Sequence, residues 1–125
     1  MGMRASTMLD TFTEAYLTCA LWSTNDESTP QGGDPLDDNY CVEDIAPDTL
    51  AAMAEDCRAF QEGHREDIAA DLGRAGHDFW LTRNGHGAGF WDGDWPEEVG
   101  ERLTEASKTY GEFDLYVGDD GLIYN

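Results

Sequence analysis

The sequence predicts an α+β fold in which helices pack on one face of a mainly antiparallel, four-stranded sheet. Two stretches in the first 72 residues have helical apolar periodicity. An Asn-Gly dipeptide near position 84 and a Gly-rich turn near position 120 each lie between alternating residues, which is typical of hairpins. The predicted order is two N-terminal helices followed by ββαββ. A chain of 125 residues is expected to form one domain, 1–125.

The first helix is predicted over residues 7–22. Thr7 and Asp10 have the spacing of a capping box, and apolar residues then recur every three or four positions as far as Trp22. From residue 23 to residue 46 the periodicity stops, and prolines and glycines interrupt a polar stretch. This part is predicted to be a long acidic loop, 23–46.

The second helix is predicted to start near Pro47, because proline suits the first helical position. Its apolar stripe runs from Leu50 to Leu72 and stops before Gly73. Gly63 is a candidate bend or break within this helix. The predicted helix is therefore long and lies with one apolar face on the core.

Residues 76–95 are predicted to form a β-hairpin at the centre of the fold. Asn84-Gly85 fits a two-residue primed turn, which needs positive φ. In that register Phe79 lies in the core, while Trp80 and Trp91 share the opposite side above glycines. The sequence leaves open whether a helix covers these two indoles or a partner contacts them.

A third helix is predicted after Asp94, with Pro96 in its first turn and Gly111 at its end. Two further strands, 113–117 and 122–124, are joined by a turn of glycines and aspartates. They complete the predicted four-stranded sheet.

The charge of the chain is strongly negative, with 27 acidic residues against 7 basic ones and a net charge of −20. Such a field repels nucleic acid and anionic membranes and attracts basic surfaces. No Lys or Arg occurs between Ala5 and Cys57. We therefore expect a basic partner, although solubility or a salty habitat also explains an acidic surface.

Three cysteines without a Cys-x-x-Cys spacing argue against a disulfide framework or a zinc knuckle. Cys19 and Cys57 lie on apolar helix faces and are expected to be buried thiols. Residues 1–5 lack the pattern of a signal peptide, and no apolar run approaches the ~20 residues that span a bilayer. A cytoplasmic protein is expected.

The alternative of a small metal-binding protein or enzyme uses His77, His86 and Asp92. In the predicted hairpin the two histidines lie ~13 Å apart along the strands, too far to share one ion. Asp92 and Asp94 offer oxygen ligands but lack the spacing of an EF-hand. No nucleophile elbow, phosphate loop or HExxH motif occurs. The sequence therefore favours a protein without catalytic residues, metal or cofactor.

Residues 71–92 resemble a segment of small, uncharacterised bacteriophage and mobile-element proteins, and the similarity extends to residue 124. The resemblance implies no catalytic residues, since no activity is assigned to that group. The resemblance implies an origin in a phage or mobile element. Small acidic phage proteins include DNA mimics that inhibit restriction enzymes, CRISPR complexes or uracil-DNA glycosylase.

The leading functional hypothesis is an acidic, phage-type DNA mimic that inhibits a host nucleic-acid-binding or defence protein by competition in the host cytoplasm. Its partner would be the basic surface of a DNA- or RNA-binding protein, without direct contact to nucleic acid or membrane, and a homodimer is left open. An acidic phage accessory protein of structural role is the other alternative. The predicted partner-binding residues are Asp34, Asp37, Asp38, Glu43, Asp44, Glu55, Asp56, Glu62, Glu66, Trp80 and Trp91.

Overall fold

A computed structural model describes residues 9–26, 33–85, 88–91 and 95–125. Within these residues the chain is mostly helical, with five α-helices and two separate two-stranded antiparallel sheets. The predicted α+β fold with a four-stranded sheet is therefore wrong. The elements are α1 (Thr11–Ser23), β1 (Asn25–Asp26), β2 (Asp34–Pro35), α2 (Pro47–Gly63), α3 (Arg65–Ile68), α4 (Leu72–Arg83), α5 (Glu97–Lys108), β3 (Tyr116–Val117) and β4 (Ile123–Tyr124).

The first half of the predicted central hairpin is helix α4. The Asp71 side chain caps this helix by accepting a hydrogen bond from the Arg74 amide at 3.0 Å. Asn84 has φ −98° and Gly85 has φ +73°. A type I′ hairpin turn needs positive φ at both residues, whereas a helix end needs it only at the following glycine. Asn-Gly therefore ends a helix here.

The second half of the predicted hairpin contains no strand in the part that the structure describes, 88–91. Phe90 is buried and its amide donates to the Thr82 hydroxyl at 3.2 Å, which holds this segment against α4. The predicted positions His86, Asp92 and Asp94 lie outside the described residues.

Helices α1 and α4 form the centre of the molecule. A Cβ on Gly76 would overlap the carbonyl group of Phe12, so the two backbones are in direct contact at this glycine. Helix α1 is capped by Asp10, which accepts from the Thr13 amide at 2.8 Å. The buried side chains of α1 are Phe12, Thr13, Tyr16, Leu17, Cys19, Ala20 and Leu21. They surround much of the helix.

The predicted second helix is divided in the structure. Helix α2 begins at Pro47 as predicted and ends at Gly63, and His64 with φ −134° separates it from the short α3. The predicted break at Gly63 is thus confirmed. Phe60 of α2 stacks on Phe79 of α4 with ring centroids 4.2 Å apart, which makes these two rings the middle of an aromatic core.

The guanidinium group of Arg83 connects the helices at the end of α4. It donates to the Asp56 carboxylate of α2 at 2.9 Å and to the Tyr16 hydroxyl of α1 at 3.0 Å. It also donates to the carbonyls of Tyr110 and Gly111 at 3.0 and 2.8 Å, just beyond the end of α5. Three helices and the segment after α5 therefore share one buried cation.

The described part of the acidic loop packs against the core. Residues Leu36–Asp38 and Val42–Asp44 form 3-10 helices, with the Leu36 side chain buried. The Ala46 amide donates to the carbonyl of Ile123 in β4 at 2.9 Å. The predicted turn between the last strands is confirmed, although β3 and β4 are only two residues long. Among the described residues, no helix has both the length and the apolar character needed to cross a membrane.

Candidate partner-binding surfaces

The predicted acidic residues of the loop have different environments. Asp34, Asp37, Asp38 and Glu43 are exposed and form no ion pair with a described residue. Asp44 is half-buried, and its carboxylate accepts a hydrogen bond from the Cys41 amide at 2.9 Å. Four loop carboxylates thus remain available to a cationic partner.

The predicted acidic residues of α2 are largely neutralised by arginines. Arg58 pairs with Glu55 at 2.5 Å and with Glu62 at 3.0 Å. The hydrogen bond from Arg58 holds the pKa of the Glu55 carboxyl below its ordinary value. Asp56 is committed to Arg83. A carboxylate paired with an arginine attracts a cationic partner less strongly than a free carboxylate does, because the two charges of the pair largely cancel at a distance.

Glu66 of α3 differs from the acids of α2. It is exposed and forms no ion pair with a described residue. Unlike the predicted acids of α2, it is therefore open to a cationic partner.

The two tryptophans that the sequence places side by side are separated. Trp80 is 2% exposed, and its indole N–H donates to the Ser23 hydroxyl at 2.7 Å. It packs edge-on against Tyr16 with ring centroids 5.3 Å apart, so it is a core residue. Trp91 is 47% exposed. Of the two tryptophans predicted to contact a partner, Trp91 is exposed and Trp80 is not.

Trp91 lies at a cavity of about 530 Å³ between the segment 88–91 and α5. We call it the Trp91 cavity. Its lining consists of three aromatic residues and one face of α5: Phe90, Trp91, Trp95, Glu97, Gly100, Glu101, Thr104 and Glu105. The α5 residues lie at position 97, positions 100–101 and positions 104–105, a recurrence every three to four residues that marks one helix face.

Two glycines allow the walls of the Trp91 cavity to approach each other. A Cβ on Gly100 would lie 2.7 Å from the carbonyl oxygen of Phe90, so glycine lets the segment rest directly on α5. A Cβ on Gly89 would lie 2.6 Å from the six-membered ring of Trp91, which is folded back over that glycine. Of the glycines predicted to lie below two indoles, Gly89 lies below Trp91 alone, and Gly87 is outside the described residues.

Trp95 is held in the wall by a buried carboxylate. Its indole N–H donates to Asp78 Oδ2 at 2.8 Å, and the second Asp78 oxygen lies 3.3 Å from His77 Nδ1. Asp78 is 1% exposed. Burial raises the pKa of its carboxyl, and the hydrogen bonds from Trp95 and His77 oppose this shift. Asp78 therefore orients the indole from below the cavity.

Three glutamates follow one another at single-turn intervals along the cavity face of α5: Glu97, Glu101 and Glu105. All are exposed and none pairs with a cation among the residues described. Arg102, on the same helix, is occupied by Asp67 at 2.8 Å. Like charges four residues apart repel each other, so this row weakens the helix that carries it.

The metal alternative stays a prediction. His77 contacts Asp78 and lies 5.9 Å from the Trp22 ring, whereas His86 and Asp92 are outside the described residues. Among the residues described, no group of three His, Cys, Asp or Glu side chains could hold a metal ion. Cys19 and Cys57 are free and buried as predicted, and burial raises the pKa of the Cys19 thiol to about 12.

Trp95, Glu101, Thr104 and Glu105 are not among the site residues predicted from the sequence. The available signal is the repeat of glutamates at i, i+4 and i+8 after Trp95, which marks one charged helix face. The signal is ambiguous because a glutamate such as Glu97 also suits a first helical turn.

The chain matches no protein-family model, and no curated protein or solved structure is significantly similar to it. The resemblance to phage proteins therefore stays a prediction, and function is inferred from the charge and geometry of these surfaces.

Proposed function

We propose that this chain is a non-enzymatic acidic binding protein of the DNA-mimic type. It binds the basic surface of a nucleic-acid-binding partner and excludes DNA or RNA by competition. A phage or mobile-element origin, with a host defence protein as target, fits this proposal. The observation that supports it is a set of exposed carboxylates without a cation partner among the described residues: Asp34, Asp37, Asp38, Glu43, Glu66, Glu97, Glu101 and Glu105.

The physical basis is the similarity between carboxylates and phosphates as ligands of Arg and Lys. Duplex DNA presents about one negative charge per 1.7 Å of axis, and its protein partners bind through cationic side chains. Exposed carboxylates on a rigid surface offer the same partners an alternative ligand. The complex requires no chemistry and is reversible.

The structure changes which predicted residues we assign to this surface. Glu55, Asp56 and Glu62 each pair with an arginine, so they contribute less field than the loop acids. Trp80 is part of the core. The loop acids and the α5 row carry the proposal instead.

The test starts from immobilised protein incubated with host lysate at low salt. The proposal expects captured proteins that duplex DNA releases and that a neutral polymer does not. Each is then purified, and its affinity for labelled DNA is measured by fluorescence anisotropy at several concentrations of the chain. The apparent Kd for DNA should rise linearly with the chain concentration.

Matched charge variants separate a specific surface from net charge. Asp37→Asn/Asp38→Asn removes two loop charges, and Glu98→Gln/Glu112→Gln removes two exposed charges outside the assigned set. The first variant should weaken competition several-fold more than the second. Equal effects of the two variants, or the absence of any captured protein that duplex DNA or RNA releases, would contradict the proposal.

A further inference from the structure

The Trp91 cavity combines an exposed aromatic face with carboxylates and an unsatisfied hydroxyl. We propose that it binds one arginine side chain of the partner, with the guanidinium group over the Trp91 indole and beside Glu101. This inference rests on the proposed function and names the ligand of one part of the surface.

The Trp91 cavity is large enough to hold a side chain. Its volume of about 530 Å³ is many times that of one water molecule, about 30 Å³ in the liquid. The indole of Trp91 remains 47% exposed, although the adjacent Phe90 and the nearby Trp95 are buried. The face of an indole attracts cations through its quadrupole, and arginine is the cation most often found there.

The charges around the cavity favour a cation. Glu97, Glu101 and Glu105 repel each other, and Glu105 lies in the last turn of α5, where the helix dipole also disfavours a negative charge. Arg102 does not offset this row, because it is bound to Asp67. A bound guanidinium would convert the repulsion into attraction.

The hydroxyl group of Thr104 lies within the cavity wall. Thr104 lines the cavity, and its Oγ1 atom is buried without a hydrogen-bond partner, the one such side-chain atom among the residues described. Buried polar atoms without partners are rare in proteins. A guanidinium group has five N–H donors in a planar fork, so it can donate to a carboxylate and, once the Thr104 side chain rotates toward the cavity, to its hydroxyl as well.

Lysine fits the same site less well. Its ammonium group is compact and strongly hydrated, and it cannot stack on an indole as a planar guanidinium does. The cavity is therefore expected to prefer arginine over lysine and to reject the neutral, nearly isosteric side chain of citrulline.

The test is an NMR titration of the ¹⁵N-labelled full chain with blocked Gly-X-Gly peptides, where X is arginine, lysine or citrulline. The arginine peptide should produce saturable shifts at the Trp91 indole and at α5 amides 100–105. Lysine should bind at least threefold more weakly, and citrulline should produce no saturable shift. Equal binding of arginine and citrulline would overturn the inference.

Matched variants locate the site. Trp91→Ala and Glu101→Gln should each weaken arginine-peptide binding at least threefold. Trp22→Ala removes an indole that is 45% exposed elsewhere, and Glu98→Gln removes a charge from the same helix outside the cavity. These two controls should leave the affinity unchanged. A control variant as damaging as its partner variant would refute the assignment.

Thr104→Val separates ligand binding from folding. The change removes a buried hydroxyl without a partner, so the melting temperature should stay level or rise, whereas affinity for the arginine peptide should fall. A fall in both the melting temperature and the affinity for the arginine peptide would contradict the role assigned to Thr104. If the peptides fail to bind while the chain still competes with DNA for its partner, only the cavity assignment is lost.

Discussion

Arg83 shows how one buried charge can organise this fold. Its guanidinium group makes four hydrogen bonds, to Asp56, Tyr16, Tyr110 and Gly111. It also lies 5.1 Å from the centre of the Phe113 ring. The planar fork reaches carboxylate, hydroxyl and two carbonyls at once, which an ammonium group cannot do.

Replacing Arg83 by lysine should therefore destabilise the protein by about 3 kcal/mol, even though the charge is kept. Urea denaturation followed by circular dichroism measures this change. Arg58→Lys is the control, because Arg58 pairs with Glu55 and Glu62 on the surface. Exposed pairs contribute little, so that variant should unfold like the wild type. Similar losses in both variants would contradict a special role for Arg83.

Asp78 should give the protein a pH-dependent stability of known sign. Its pKa is raised by burial, against the hydrogen bonds from Trp95 and His77. The neutral carboxyl is thus favoured in the folded state, and the stability it contributes below pH 3.8 is lost as pH rises through the folded pKa. Asp78→Asn keeps a neutral acceptor for Trp95 and lacks this loss.

The melting temperature of Asp78→Asn minus that of the wild type should therefore increase as the pH rises from about 2.5 to about 7.5. Asp67→Asn is the control of opposite sign, because its difference from the wild type should decrease over the acidic end of the same range. The hydrogen bond from Arg102 lowers the pKa of Asp67, so this carboxylate stabilises the fold above pH 3.8 and loses its contribution as pH falls. If the difference in melting temperature between Asp78→Asn and the wild type does not change with pH, the buried carboxyl does not titrate in this range.

At the scale of elements, the contact between α1 and α4 depends on one glycine. Alanine at Gly76 would place its Cβ on the Phe12 carbonyl, and a backbone group cannot move aside without shifting a helix. Gly76→Ala should cost about 3 kcal/mol or more, although alanine is the better helix former. Urea denaturation is again the measurement.

Gly73→Ala is the matched change on the same helix. Its Cβ would meet the nearest atoms at 3.8 Å, an ordinary contact distance. The variant should gain up to about 1 kcal/mol from the higher helix propensity of alanine. Destabilisation of both variants to the same degree would place the cause in the glycines of α4 generally and not in the approach to α1.

The helices α1, α2 and α5 were predictable because their apolar residues keep a helical period over many turns. Residues 76–83 were not, since Phe79 and Leu81 fit an alternating pattern as well as Phe79 and Thr82 fit a helical one. Asn84-Gly85 added a second ambiguity, because a positive-φ glycine serves both a primed turn and a helix end. Asp71 was the overlooked signal, as a capping residue three positions before Arg74.

The candidate site was partly predictable for the same reason. The loop acids were found from composition alone, and four of them are exposed as a solvated acidic loop requires. The Trp91 cavity depends on the packing of residues 88–91 against α5, which the periodicity of the sequence does not predict because 88–91 form neither a helix nor a strand. The predicted hairpin register places Trp80 beside Trp91. In the structure Trp80 belongs to helix α4 and lies in the core.

At the scale of the whole molecule, the net charge of −20 should affect folding and binding in opposite directions. Self-repulsion opposes the compact state, and salt screens it, with a Debye length of about 30 Å at 0.01 M and about 3 Å at 1 M. The melting temperature should therefore rise between 10 mM and 500 mM NaCl. Affinity for a basic partner should fall steeply over the same range.

Differential scanning calorimetry measures the first effect, and a titration with the captured partner measures the second. Sodium chloride is compared with sucrose, which stabilises compact states without screening charge. Sucrose should raise the melting temperature and leave the affinity nearly unchanged. Binding that persists undiminished at 500 mM NaCl would show that apolar contacts dominate the complex, and carboxylates could then not be acting as substitutes for phosphates.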